Sequence, residues 1–234
     1  MSEWKQKRFW TEVSVVAEDD GFAVALDGRR LKTPAKAALL VPTETLAQAI
    51  AAEWQAQDKE IDPGTMPFTR TANSALDKVA HQHAEVAELL AAYGDSDLLC
   101  YRADSPRTLV DRQAAQWDPP LAWAAATFGA ELQAHTGVMH VPQSADALAK
   151  LRAPIVGMTP FQLAAFHDLV GLCGSLVLGY AAARGWKSAA EIWQISQLDE
   201  LWQAEQWGDD DEALETAEIK RQAFEHAARF WAIC

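Results

Sequence analysis

The first part of the chain has short β-like runs that alternate with turn signals. Between Phe9 and Val41, the short runs TEVSVVA, FAVAL and RRLKT are separated by the turn signals Asp19-Asp20-Gly21 and Asp27-Gly28. Short β-like runs bounded by turn residues predict two β-hairpins. The second hairpin is expected to use a type I′ turn, because aspartate and glycine tolerate the positive φ angles of its two central positions.

Helical spacing replaces this alternation after Val41. Leu46, Ile50 and Trp54 recur every four residues, and Thr43 before them suits a helix N-cap. This helix is expected to cover one face of the small sheet. The segment from Ile61 to Pro67 then has two prolines and no apolar periodicity, which is typical of a connection between domains.

The chain beyond this connection is predicted to be helical. Helices are expected over residues 69–93, 106–128, 145–151, 160–184, 189–207 and 212–231, the second with a break at Asp118-Pro119-Pro120. Thr159-Pro160 and the capping box of Ser188 with Glu191 mark two of the helix starts. The predicted class is α+β, with a small β-rich antiparallel sheet domain and its covering helix in residues 1–66 and a larger all-α domain in residues 67–234.

Charge and composition exclude several classes of partner. The 20 basic and 33 acidic residues give a formal net charge of −13, so phosphate backbones and anionic membrane surfaces are repelled on average. The longest apolar run, residues 161–183, is interrupted by Gln162, His167 and Asp168, which favours a buried core helix over a membrane span. We therefore expect neither nucleic-acid binding nor membrane insertion.

The cysteines and the N-terminus indicate a cytoplasmic location. Cys100, Cys173 and Cys234 are odd in number and lack metal-ligand spacing, so reduced thiols without a metal site are expected. The N-terminal residues have neither the apolar core of a signal peptide nor the composition of an Arg-rich transit peptide.

The chain carries no common catalytic motif. P-loop, GxGxxG, GxSxG and HExxH patterns are all missing from the sequence. One alternative stays open, an unrecognised hydrolase or ligand-binding enzyme that uses Asp95, Asp97, His135 or Glu205 as acid–base groups. Asp95 and Asp97 follow a glycine, however, and such a pattern is more typical of turn and cap chemistry.

The segment from Ile195 to Glu212 places a carboxylate within an apolar helical stripe. On one continuous helix, Ile195, Leu198, Leu201, Trp202 and Glu205 would lie within roughly 120° of one another, so Glu205 would occupy a core position. A carboxylate there is expected either to be paired inside the fold or to line a groove. Trp207 falls on the opposite side, beside an acidic run at residues 209–212 in which Asp211 is expected to cap the last helix.

Five separated segments of the chain carry a family signature. They are RFW at residues 8–10, VALDGR at 24–29 continuing to LKTP at 31–34, EWQAQ at 53–57 with the following Ile61, Pro63 and Met66-Pro67, DLLCYR at 97–102, and WQAEQWG at 202–208. In order and spacing they resemble the Atp12 family, the assembly chaperones of the F1 sector of ATP synthase. Mitochondrial members carry an import extension, so a chain that starts close to the matching region resembles a bacterial cytoplasmic relative.

The resemblance implies a non-enzymatic function without cofactor or small-molecule substrate. Atp12 proteins bind the unassembled α subunit of F1-ATPase and shield its β-facing surface until the α/β hexamer forms. The resemblance also assigns residues, since the glutamate implicated in chaperone function falls on Glu205. The expected client-binding residues are Glu205, Trp207, Asp209, Asp210 and Trp202, and the expected structural residues of the family motifs are Trp54, Asp27, Gly28 and Arg102.

Overall fold

The computed structural model, which describes residues 7–208 and 210–234, has a small antiparallel sheet near its N-terminus. The four strands are β1 (Val13–Glu18), β2 (Gly21–Leu26), β3 (Arg29–Arg30) and β4 (Leu40–Val41). Strand β2 pairs antiparallel with each of the other three. Its residues from Ala23 to Leu26 are all buried, so β2 forms the centre of this small sheet.

The turn between β2 and β3 has the predicted geometry. Asp27 and Gly28 have φ angles of 47° and 78°, the positive values that a type I′ turn requires. The Asp27 carboxylate also accepts hydrogen bonds from the backbone N–H groups of Thr11 and Glu12 at 2.8–3.1 Å. These bonds hold the pKa of Asp27 below its ordinary value. Asp27 therefore ties the chain before β1 to the turn, in addition to shaping that turn.

Helix α1 (Glu44–Gln55) covers the sheet as predicted. The hydroxyl of Thr43 accepts the N–H of Leu46 at 3.2 Å and caps the helix. Leu46 and Ile50 are fully buried, and α1 packs against β1 and β2. Trp54, one turn further on, is half-buried and meets the Trp10 ring edge-on, with 5.2 Å between the ring centroids.

The rest of the chain is mainly helical, which confirms the predicted α+β class. The helices are α2 (Pro67–Asp77), α3 (His83–Ala92), α4 (Arg107–Phe128), α5 (Ala145–Val156), α6 (Pro160–Cys173), α7 (Leu176–Ala183), α8 (Ala189–Ser196), α9 (Leu198–Trp207) and α10 (Asp211–Ile233). Short strands β5 (Tyr101–Arg102) and β6 (His135–Thr136) pair in parallel. Within the described ranges, no helix is both long enough and apolar enough to cross a membrane.

Several predicted helix boundaries were wrong. Residues 160–184 form two helices, because Gly174 adopts a left-handed φ of 69° and the Ser175 hydroxyl starts α7 by accepting the N–H of Leu178. Residues 69–93 are divided by a 3-10 turn at Val79–His81. The capping box of Ser188 and Glu191, by contrast, is formed as predicted.

The break predicted at Asp118-Pro119-Pro120 does not occur, and α4 continues through both prolines. Trp117, Pro120 and Ala124 on this helix are buried. The burial of that face stabilises the helix enough to offset the two backbone N–H donors that the prolines lack.

Two compact units make up the chain. One comprises the described part of Met1–His83 with Thr159–Ala165 and Arg229–Cys234, and the other comprises Ala84–Met158 with Phe166–Ala228. A compact unit need not fold independently of the rest of the chain. The domain boundary predicted between Met66 and Pro67 therefore stays a prediction.

The second unit has an aromatic core that includes two free thiols. Trp117, Phe166, Tyr180 and Phe224 are among its fully or nearly fully buried side chains. Cys100 and Cys173 are buried and free, and burial raises the pKa of each thiol to about 12. Both thiols are therefore protonated at neutral pH in the folded chain.

Candidate functional site

Helix α9 is anchored in the second unit mainly at its first residue. The chain leaves α8 at Ser196, turns at Gln197 and starts α9 with Leu198, the one residue of α9 that is buried. Because of this turn, α8 and α9 do not share one continuous apolar stripe. The predicted core position for Glu205 was therefore wrong: its side chain is 51% exposed, and Leu201 is 43% exposed.

Glu205 forms an ion pair with Arg112 of α4. Arg112 Nη1 donates to Glu205 Oε2 at 2.6 Å, and this hydrogen bond lowers the pKa of Glu205 and raises that of Arg112. The same guanidinium lies over the ring of Trp202, 6.0 Å from its centroid. The ion pair with Arg112 thus orients the Glu205 side chain and keeps its carboxylate ionised, while half of the side chain is exposed to solvent.

A second bond between α4 and α9 lies close to this pair. Gln113 Nε2 donates to Asp199 Oδ1 at 2.8 Å, and Gln113 Oε1 accepts the backbone N–H of Ala103 at 2.8 Å. Gln113 is buried, so this side chain links α9 to the segment that follows β5. Arg112 and Gln113 could not be identified from the sequence, because no local pattern marks a residue whose partner is 93 or 86 positions away.

An open cleft of about 760 Å³, here called the α9 cleft, runs along one side of this helix. Its walls are formed by α9, by the segment from Tyr101 to Pro106 and by the loop around Val138. The α9 residues that line it are Asp199, Trp202, Gln203, Gln206 and Trp207. Trp207 is 79% exposed and Trp202 is half-buried, so the structure brings both predicted tryptophans to the same cleft.

The acidic segment after α9 has a structural function at the start of α10. Asp210 Oδ1 accepts the N–H of Glu212 at 2.9 Å and that of Ala213 at 3.4 Å. The cap was predicted at Asp211 and is instead Asp210, while Asp211 is the first residue of the helix. Asp210 is itself exposed, and the predicted residue Asp209 lies outside the described residues.

Arg102 is held firmly inside the second unit. Its Nε donates to the carbonyl of Leu99 at 2.7 Å, its Nη2 pairs with Asp118 at 2.9 Å, and its guanidinium lies 5.5 Å from the centroid of the Trp117 ring. These contacts give Arg102 a structural role in addition to its place in the wall of the α9 cleft.

The four residues of the hydrolase alternative each have a separate set of contacts. Asp95 accepts the backbone N–H of Gln143 and lies 3.2 Å from His140 Nε2, whereas Asp97 is fully buried. His135 packs edge-on against the Tyr101 ring at 4.7 Å. Glu205 pairs with Arg112, and none of the four lines the α9 cleft. The described ranges also contain no group of three His, Cys, Asp or Glu side chains that could hold a metal ion.

Asp97 joins two parts of the second unit through backbone hydrogen bonds. Its Oδ1 accepts the N–H of Leu99 at 3.1 Å and its Oδ2 accepts the N–H of Val177 at 3.0 Å. Burial nevertheless dominates and raises the pKa of Asp97 from 3.8 to about 6. This carboxyl is therefore a buried connector between the 3-10 turn at Leu98–Cys100 and the start of α7.

We expect Asp97 to make the folded chain less stable as the pH rises from about 4 to about 6. In this window the folded chain retains a proton that the unfolded chain has released, so the unfolding free energy falls with pH. Across this window, the decrease due to Asp97 is on the order of 2 kcal/mol. Urea unfolding of wild type and Asp97→Asn across this range measures the effect as a difference. A difference that does not change with pH would contradict it.

Comparison with known proteins identifies the family. The family model described as ATP12 chaperone protein matches residues 7–125, about half of the chain. The chain belongs to the ATP12 chaperone family. This membership confirms the resemblance to F1-ATPase assembly chaperones and places the chain among chaperones rather than enzymes. The α9 segment lies beyond the residues that the family model matches.

Full-length similarity to ATP12 proteins does include α9. The crystal structure of Atp12 from Paracoccus denitrificans is 50% identical, with a TM-score of 0.95 and coverage of 98% of this chain and 99% of that chain. A mutant of Atp12p from the same organism is also 50% identical, with a TM-score of 0.96 and coverage of 99% of both chains. Mitochondrial protein atp12 of Schizosaccharomyces pombe is 26% identical over 225 residues, which cover 89% of this chain and 76% of that protein.

Proposed function

We propose that this ATP12 chaperone binds the unassembled α subunit of F1-ATPase in the cytoplasm and shields its β-facing surface until the α/β hexamer forms. The proposed binding surface is the α9 cleft, which Trp202 and Trp207 line, with Glu205 proposed as part of its rim. Asp209 and Asp210, two further proposed client-binding residues, follow α9 in the sequence. Family membership supports the chaperone function, and the shape and chemistry of the α9 cleft support the choice of surface.

The exposed side chain of Trp207 carries this proposal. A tryptophan that is 79% exposed leaves a large apolar area in water, and such residues are enriched in the centres of protein interfaces. Val138, which also lines the α9 cleft, is 90% exposed. Two apolar side chains facing one open cleft provide a surface that a client protein can cover.

Charge adds specificity to this apolar surface. Glu205 stands near Trp202 with its carboxylate ionised, and Asp210 follows shortly after the end of α9. A client arginine or lysine approaching this rim would gain a charge-assisted hydrogen bond and would be attracted over a distance by the net charge of −13. Trp54, Asp27, Gly28 and Arg102 are proposed to maintain the fold on which this surface depends.

We expect Trp207→Ala to fold normally and to bind the α subunit at least about 30-fold more weakly, the loss that is typical of an interface hot spot. The measurement is capture of purified F1 α and β subunits by immobilised chaperone, together with suppression of α aggregation. Leu89→Ala is the matched control, since Leu89 is also exposed, at 53%, and lies on α3, away from the cleft.

Two results would contradict the proposal in different ways. If the wild-type chaperone captured neither subunit, the proposed client would be wrong. If it captured α and Trp207→Ala captured α equally well, the α9 cleft would not be the binding surface.

A further inference from the structure

A second depression lies on the other side of α9, between α9 and the first half of α10. This α9–α10 groove has a volume of about 290 Å³, and its floor is mainly apolar. Trp193 lies at its base and is buried, whereas Leu201 of α9 and Leu214 of α10 are 43% and 50% exposed. The remaining apolar lining consists of the small residues Ala204, Ala213 and Ala217, which permit close approach of another backbone.

The first half of α10 lacks the packing that normally stabilises a helix. Every residue from Asp211 to Ala223 is exposed or half-buried, and Phe224 is the first buried side chain of the helix. An amphipathic helix gains most of its stability from packing its apolar face. Ala213, Leu214 and Ala217 form such a face, and they line the α9–α10 groove. This face is therefore available to a further element.

The rim of the α9–α10 groove is acidic. Glu200 and Asp210 line it, and Glu212 and Glu215 lie nearby in the sequence on α10. The one basic residue among its lining residues, Arg221, pairs with Glu218 at 2.7 Å and also with Glu225. The charge of Arg221 is thus already compensated, and the net potential at the rim is negative.

We propose that the α9–α10 groove binds an amphipathic helical segment of the client, with aliphatic side chains on one face and basic residues at its ends. This inference rests on the proposed function and names the chemistry of the client segment. An apolar groove with exposed leucines takes the apolar face of a helix, and its acidic rim selects basic flanks. A second copy of this chain is a poor occupant, because two chains of charge −13 repel each other.

Helix α9 would then contact the client on two sides. Trp202, Gln206 and Trp207 line the α9 cleft, whereas Leu201 and Ala204 line the α9–α10 groove. Binding at both depressions would enclose α9, whose own attachment consists mainly of Leu198 and its bonds to Arg112 and Gln113.

The test uses a synthetic helical peptide of about 15 residues, long enough for measurable helix formation, with leucines on one face and lysines at both ends. We expect the wild-type chaperone to bind this peptide at least about tenfold more tightly than the same peptide with glutamates at its ends. The double variant Leu201→Gln/Leu214→Gln is expected to bind both the lysine-ended peptide and the F1 α subunit at least about tenfold more weakly.

Ile219→Gln is the matched control, because Ile219 is 63% exposed on the same helix and does not line the groove. Its affinities are expected to equal those of the wild type, and circular dichroism checks that all variants fold. Unchanged α binding by the double variant would overturn the groove proposal and leave the proposed function intact. Peptide binding without α capture would instead overturn the proposed client. A wild-type dimer that the double variant converts to monomer would assign the groove to a second copy and overturn the proposal.

Discussion

The Glu205→Lys variant is expected to fold like the wild type and to lose capture of the F1 α subunit, with affinity lower by roughly a hundredfold. Its fold should survive because the Arg112–Glu205 pair is largely exposed, and exposed ion pairs contribute little to stability. Binding should fail because the substitution places a second cation beside Arg112 and reverses the charge at the rim of the α9 cleft. Circular dichroism checks that the variant folds, and pull-down of the α subunit measures the loss of binding.

Glu88→Lys is the matched control for this charge reversal. Glu88 is similarly exposed, at 57%, and is also paired with an arginine, Arg152. We expect Glu88→Lys to capture α like the wild type. Equal losses in the two variants would show that net charge, rather than the position of Glu205, controls binding.

The exchanged pair Arg112→Glu/Glu205→Lys separates two roles of Glu205. This double variant restores an ion pair between α4 and α9 with reversed polarity, so the position of α9 should be retained. We expect α capture to remain lost, because we propose that the carboxylate of Glu205 itself contacts the client. Recovery of capture would show that Glu205 acts by positioning α9 through Arg112.

Trp117→Ala is expected to destabilise the second unit by about 3–5 kcal/mol, the usual cost of truncating a fully buried tryptophan. Trp117 is completely buried, and its Nε1 donates to the carbonyl of Ile195 at 2.9 Å, just before the turn that starts α9. Its ring also supports the guanidinium of Arg102. Urea unfolding followed by circular dichroism should show a midpoint lower by at least about 1 M.

The same chemical change at Trp207 provides the comparison. Because Trp207 is 79% exposed, Trp207→Ala should change the unfolding free energy by no more than about 0.5 kcal/mol. Trp117→Ala and Trp207→Ala should therefore have opposite profiles, with stability lost in the first variant and α binding lost in the second. A stable Trp117→Ala variant would contradict the assignment of Trp117 to the core.

Features that depend on neighbouring residues could be predicted from the sequence. The type I′ turn at Asp27 and Gly28, the Thr43 cap and the capping box of Ser188 each require residues only a few positions apart. Local chemistry therefore predicted the sheet, its covering helix and most helix starts.

Features that depend on distant contacts could not be predicted in this way. No glycine or proline marks Gln197, yet the turn there separates Glu205 from the apolar stripe to which it was assigned. The prolines of α4 were expected to break that helix, because their lost hydrogen bonds are visible in the sequence while the burial of Trp117 and Ala124 is not. The α9 cleft likewise combines segments that lie about 100 positions apart in the chain.

The two buried thiols allow local opening of the wild-type chain to be measured by cysteine labelling. Cys100 and Cys173 are protonated and enclosed in the folded state, so an alkylating reagent can reach them only when the surrounding structure opens. Cys100 closes the 3-10 turn at Leu98–Cys100 and Cys173 ends α6, and these two segments meet where Leu98 donates its N–H to the carbonyl of Gly174. The rate at which each cysteine is labelled therefore measures how often this junction separates, and a bound client that steadies the second unit would slow that labelling.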